Sequence, residues 1–331
     1  MLLRVFRSNN PSALFYLAIV VPVILATGWA DPGISNAQVG MPLYDLLIKP
    51  IMGIAWLSNL LFALLVILCA VQLATLFNKL GFLDKDTQLP ALFFILFSCS
   101  ALSEQGLSPL ICGLPFSLVA FRRSWNTSAD NKTLSTHFDA GLLVGIASLF
   151  YLPFLFLLPA IWVGMAFMRT FRWREWLFPV LGIALVFMIT RSIYFVVGSE
   201  LVIPDPWSAT SDLNIQDIPW PHLIFWIYSS LLLLWSLYWL VDIFRHGKVR
   251  RKNLMKAAAV AFVFLMALFV SSFFGTDVFG LVILGIPASV LCTYLFHGLY
   301  EKKLWLANTL FYFWLIILLF ALWSERMAIQ G

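Results

Sequence analysis

Residues 140–168 read AGLLVGIASLFYLPFLFLLPAIWVGMAFM, twenty-nine positions without a charge. An upright helix needs roughly 20 residues to cross the hydrocarbon core, so the run is too long for one crossing and short for two full ones. The flanking charges decide between them. Arg122, Arg123 and Lys132 precede the run, and Arg169, Arg172 and Arg174 follow it. Basic loops favour the cytoplasmic face, so two basic flanks put both ends of the run on one side and require an even number of crossings. Pro153, after Tyr151 and Leu152, marks the place to turn. The segment therefore reads as two short helices in a hairpin, against the alternative of one tilted helix.

The rest of the chain has the same character. Of 331 residues, 62% are hydrophobic and 11% charged, against about 25% charged in a soluble domain. The sequence predicts a single all-α membrane domain, 1–331, built as a polytopic transmembrane helical bundle of about eleven spans. Asn10 and Pro11 supply a helix start, as cap and first helical residue, for a first span over 12–29. The basic start and long apolar run resemble a signal peptide, and the run reads as a retained anchor, with cleavage as the alternative. Further spans are expected near 51–77, 90–102, 107–121, 176–197, 222–244, 257–274, 278–295 and 304–323, besides the hairpin.

Charge orients the bundle. Of 21 Lys and Arg residues, eighteen fall in alternate loops, from Arg4 and Arg7 through Lys79, Lys85 and the Arg245–Lys256 cluster to Lys302 and Lys303. Only Lys49 and Arg326 fall on the other side, and Arg191 lies within a span. That asymmetry predicts a cytoplasmic N-terminus and an external C-terminus in a bacterial inner (cytoplasmic) membrane. The net charge of +5 is spread over these loops. With no nucleic-acid motif present, the basic bias follows topology and no nucleic-acid partner is expected. Asn126-Thr127-Ser128 and Asn131-Lys132-Thr133 match a glycosylation pattern but fall on the cytoplasmic side, where it has no use.

Few residues stand out as chemistry. Arg191, fifteen residues beyond Trp176, lies about 22 Å along its helix. An intramembrane arginine costs about 3 kcal/mol or more on insertion scales unless it meets a polar interior, a partner or the interface. It reads either as a snorkelling or salt-bridged structural arginine or as an anion site for lipid phosphate or pyrophosphate. Asp31, directly after the first span, is either a turn carboxylate beside Pro32-Gly33 or an external base, with Glu104 in the next external loop as its companion. His222 opens a span on that same side, and His137 and His246 are expected to be solvated. Cys69, Cys99, Cys112 and Cys292 sit in apolar runs as small buried hydrophobes. No ligand spacing supports a metal, and no cofactor is assigned. Trp29, Trp207, Trp220 and Trp323 mark span ends as interfacial anchors.

Two segments carry a resemblance: Leu3-Arg4-Val5-Phe6-Arg7-Ser8-Asn9-Asn10-Pro11, and the block beginning Ala140-Gly141 and ending Phe171-Arg172-Trp173-Arg174-Glu175-Trp176. Together they resemble an uncharacterised family of bacterial multi-pass inner-membrane proteins, which implies no activity. The chain is also similar to polytopic glycosyltransferases that use lipid-phosphate sugar donors. It shares an acidic residue in the first external loop (Asp31), short third and fourth spans joined by a polar turn, and an A-G-x-x-x-G-x-A segment at Ala140–Ala147 followed by basic residues. A lone Asp31 stands where those enzymes carry a close acidic pair. The resemblance implies a glycosyltransferase-like enzyme acting on a lipid-linked sugar or polymer at the outer face. Asp31 and Glu104 would be catalytic, Arg191 and His222 would bind substrate, and membrane lipids would be partners. The alternatives are a non-catalytic membrane subunit of an envelope assembly or export complex, with membrane-protein partners, and a transporter.

Overall fold

The structure is a computed structural model that describes residues 2–7, 16, 41–101, 107–125, 133–168, 172–198, 220–274 and 280–330. The expected first span over 12–29, apart from Tyr16, lies outside the described residues. So do Asp31, Glu104, the segment 126–132 and the acidic loop 199–219. Among the described residues every regular element is helical. They are α1 (Leu2–Arg7), α2 (Pro42–Leu47), α3 (Lys49–Met52), α4 (Ala55–Leu80), α5 (Leu89–Ala101), α6 (Pro109–Trp125) and α7 (Thr133–Ser148). A 3-10 turn (Leu152–Phe156) follows, then α8 (Leu157–Met168), α9 (Trp173–Val197), α10 (Trp220–His246), α11 (Val249–Phe274), α12 (Gly280–Lys302) and α13 (Leu304–Gln330). Among the described residues five stretches are long and apolar enough to cross a membrane: Trp56–Leu80, Trp173–Val197, Leu223–Arg245, Ile283–Lys302 and Leu304–Ser324. Leu89–Cys99 and Leu152–Phe167 are shorter and apolar.

The run that opened the sequence reading breaks where Pro153 required. α7 ends at Ser148, Pro153 sits in the 3-10 turn, and α8 begins at Leu157. Contacts with α9 show that the chain turns back. At one end of the pair His137 of α7 faces Glu175 of α9. Further along, a Cβ on Gly141 would lie 2.1 Å from the Pro179 carbonyl oxygen, and one on Gly145 would meet Val186 at 3.0 Å. Residue numbers rise together on both helices, so α7 and α9 run parallel and α8 must return between them. Gly182 completes the seam, its Cβ position 2.5 Å from the Phe138 carbonyl oxygen. Small residues let these two backbones touch, which in lipid replaces hydrophobic burial as the source of helix association.

Helix ends follow local chemistry. Gly81 closes α4 in the left-handed region at φ 77°, where residues with a Cβ are disfavoured. The loop behind it is clamped by Asn78, whose side chain donates to the Thr87 carbonyl and accepts from the Thr87 N–H, both at 3.1 Å. The Thr87 hydroxyl donates to the Phe6 carbonyl at 3.2 Å, and its oxygen accepts the Leu89 N–H at 3.2 Å, capping α5. The end of α1 is thereby tied to the start of α5.

Burial sorts centre from rim. In the most apolar window of α12, 72% of residues are inside the protein, against 11% in α9. Every side chain from 89 to 99 of α5 is buried. Its 13 residues cover only about 20 Å, less than the bilayer core, and neighbouring helices enclose them. Around α5 and α12 sits an aromatic cluster in which Trp314 of α13 packs 5.2 Å from Phe97, 5.6 Å from Phe93 and 6.1 Å from Phe225. The Trp314 Nε1–H donates to Ser229 Oγ at 3.0 Å.

Polar contacts separate the two ends of the bundle. At one end Arg7 pairs with Glu301 at 2.8 Å, Arg251 pairs with Asp84, and Arg123 pairs with Asp139. At the other, the Tyr44 hydroxyl donates to the Leu107 carbonyl at 2.7 Å, and the Leu43 N–H donates to the Leu149 carbonyl at 3.2 Å. These ion pairs put the ends of α4, α6 and α12 and the starts of α7 and α11 at the first end. Each loop that groups at the first end is one the charge pattern had assigned to a single side.

Candidate functional site

The residues singled out in the sequence are not the ones that line the described cavity. Asp31 and Glu104 lie outside the described residues, and His222 is in the first turn of α10. Arg191 is exposed on α9, between Thr190, which faces α7, and the exposed Ile193. It makes no ion pair among the described residues, so those residues supply no salt-bridge partner for it. Its neighbours Met188, Ile189 and Phe195 are also exposed, and it lies about 10 Å from the C-terminal end of α9, within snorkelling reach of an interface.

His137 is a correction. A polar loop predicted a solvated imidazole, but Thr133 begins a helix instead, and His137 is fully buried with Nε2 4.0 Å from the buried Glu175 carboxylate. Arg172 stands 3.8 Å from the same carboxylate, and Glu175 lies in the first turn of α9, where the helix dipole favours a negative charge. The two buried groups come together where the two parallel helices start. The four cysteines are buried and unbridged.

The described cavity has a volume of about 270 Å³ and lies between α4, α6, α10, α11 and α12. Its room comes from α11, where Ala258, Ala259 and Ala261 face it in place of larger side chains, with Pro287 and Val290 of α12 opposite. The wall is apolar. Ser117 lines it, but its hydroxyl donates at 2.7 Å to the Leu114 carbonyl within its own helix. Trp125 lines it by its ring, its Nε1 edge being set 2.0 Å from where a Cβ on Gly164 would stand. Along α11 the lining runs from Met255 to Leu265, roughly 15 Å.

The cavity reaches the protein surface between α10 and α11. Leu237 of α10 and Ala259 of α11 both line it and both are exposed, Leu237 at 44%. The exposed part of the lining is therefore apolar on both helices. The inner limit of the cavity lies next to the basic end, where Arg251 stands within electrostatic range of the buried Tyr294 hydroxyl. Asp84, on the loop that faces it, is held below the usual carboxylate range by its hydrogen bond from Arg251. That ion pair is complete above the ordinary carboxylate pKa and is lost as pH falls through the lowered value.

Sequence reasoning missed this cavity, although a signal exists in Ala257-Ala258-Ala259-Val260-Ala261, the densest run of alanines in the chain. Among the described residues no group of His, Cys, Asp and Glu side chains could hold a metal ion. Comparison with protein-family models, with curated proteins and with solved structures finds no match for this chain.

Proposed function

We propose that this is an eleven-pass protein of a bacterial inner membrane, with its N-terminus and basic end in the cytoplasm and its C-terminus outside, that binds a lipid or lipid-linked substrate by its hydrocarbon chain. The observation that carries the reading is the apolar cavity open sideways between α10 and α11. A pocket of this kind, lined by hydrocarbon and reached from the bilayer, suits an acyl or isoprenoid chain and offers little to a polar solute. The span count rests on taking the ten helices α4 to α13, five of them long and apolar enough by themselves, as successive crossings and adding the apolar run over 12–29, and the orientation rests on the basic loops collected at one end. Sugar transfer at the outer face, with Asp31 and Glu104 as catalytic residues and Arg191 and His222 as substrate ligands, is the finer proposal, supported by the glycosyltransferase resemblance.

Two measurements test the proposal. Reporter fusions should place Arg123, Arg172 and Arg250 in the cytoplasm and Asp212 outside; a cytoplasmic signal at Asp212 reverses the orientation. For the cavity, Ala258→Phe puts a ring into the space without adding a polar group. The variant is expected to insert and melt like the parent yet fail to restore whatever growth or envelope phenotype follows deletion of the gene. Full restoration by a stably inserted Ala258→Phe protein would remove lipid handling as the function.

A further inference from the structure

The opening of the cavity carries more information than its walls. The end of α10 and the start of α11 form the most basic stretch of the chain, holding Arg245, Lys248, Arg250, Arg251, Lys252 and Lys256. Lys252, Lys256 and Ala259 follow at the spacing of one helix face, and Ala259 is both exposed and part of the cavity lining. Lys256 and Lys252 therefore stand about 4.5 and 10.5 Å below the mouth, respectively, on the same side of α11. Lys256 is exposed, and Lys252 is half-buried with Nζ 5.9 Å from the Phe244 ring of α10, on the other side of the gap. Among the described residues neither has a carboxylate partner, whereas Arg251 is engaged with Asp84. An apolar slot thus opens directly above positive charge that has no carboxylate partner among the described residues.

We infer that the α10–α11 opening is a binding site for a phosphate-bearing anionic lipid of the leaflet at the basic end, with the chain in the cavity and the phosphate held by Lys252 and Lys256. The inference rests on the proposed lipid-handling function and adds the headgroup class and the leaflet. Charge complementarity selects the occupant: a zwitterionic lipid would gain the same chain contacts but less from the lysines. Basic clusters at the cytoplasmic ends of helices bind anionic headgroups in this way.

The test is native mass spectrometry of the full chain released from detergent after incubation with phosphatidylglycerol or phosphatidylcholine of identical short chains. The parent protein is expected to retain one phosphatidylglycerol in preference to phosphatidylcholine. Each lysine replaced is expected to cost about fivefold of that preference, so Lys252→Ala/Lys256→Ala should bring the two lipids near parity while still holding one lipid. Ala258→Phe should release both lipids. A double variant that keeps the full preference overturns the headgroup assignment alone. If Ala258→Phe retains lipid as the parent does, or the parent retains none because residues 12–29 fill the space, the lipid-handling function falls with it. Millimolar inorganic phosphate is expected not to displace phosphatidylglycerol. Displacement by phosphate of both lipid and preference would mark a free-anion site and overturn the inference.

Discussion

Gly141→Ala is expected to be among the most damaging single-methyl changes in the protein, lowering stability by about 3 kcal/mol, the upper end of the range for overpacking. The added Cβ would sit 2.1 Å from the Pro179 carbonyl oxygen and 2.6 Å from Pro179 Cα. These are backbone atoms of a helix and cannot swing aside, so α7 and α9 must separate along their whole seam. The buried His137–Glu175 pair at the start of that seam would open with it. Gly145→Ala is the milder comparison, because its Cβ would meet Val186 Cβ and Cγ2 at 3.0 Å and Ile183 Cα at 3.3 Å, contacts that a helix shift of a few tenths of an ångström relieves. Gly81→Ala is a control of another kind: it meets nothing within 4 Å and carries only the left-handed backbone cost of about 1 kcal/mol. Thermal unfolding in detergent should rank Gly141→Ala lowest of the three. A Gly141→Ala protein that melts with the parent would show that α7 and α9 do not touch as described.

Trp314→Ala is expected to cost about 2–3 kcal/mol. In a water-soluble core, Trp→Ala losses run about 3–5 kcal/mol because transfer from water and the cavity both count. Here the unfolded helix would leave the indole in lipid, so the transfer part largely disappears and lost dispersion contacts remain. Those contacts are many, since Trp314 is 1% exposed and packs among Phe93, Phe97, Phe225 and Phe296. Trp314→Phe keeps most of the ring packing and loses the hydrogen bond to Ser229, for about 0.6 kcal/mol. Unfolding midpoints for the two variants should therefore differ severalfold in their shift from the parent. Equal shifts would mean that the hydrogen bond, and not the packing, holds α13 to the centre.

How much of this was legible beforehand depends on which physical contrast each feature uses. Composition settles the all-helical, membrane-type architecture, because uncharged runs of this length leave backbone groups no partner in lipid except within a helix. The break near Pro153 and the return of α8 were also readable, since proline ends a helix and like-charged flanks demand an even number of crossings. The gathering of Arg7, Arg123, Arg172 and Arg251 at one end follows from the same charge rule.

Tertiary structure alone decided which helices are central, which residues enclose a cavity and where His137 lies. A soluble helix announces its buried face by the contrast between apolar and polar residues, but lipid is as apolar as a protein core. α5, buried from Leu89 to Cys99, and α9, mostly exposed, therefore read alike in sequence. A cavity is harder still to foresee, because it is an absence of atoms: Ala258, Ala259 and Ala261 leave room only because Pro287 and Leu237 on other helices fail to fill it. His137 looked exposed from its polar neighbours and is buried because Glu175, thirty-eight residues later, arrives beside it on a parallel helix. Pairings of that kind are set by which helices lie side by side, and local sequence carries no record of them.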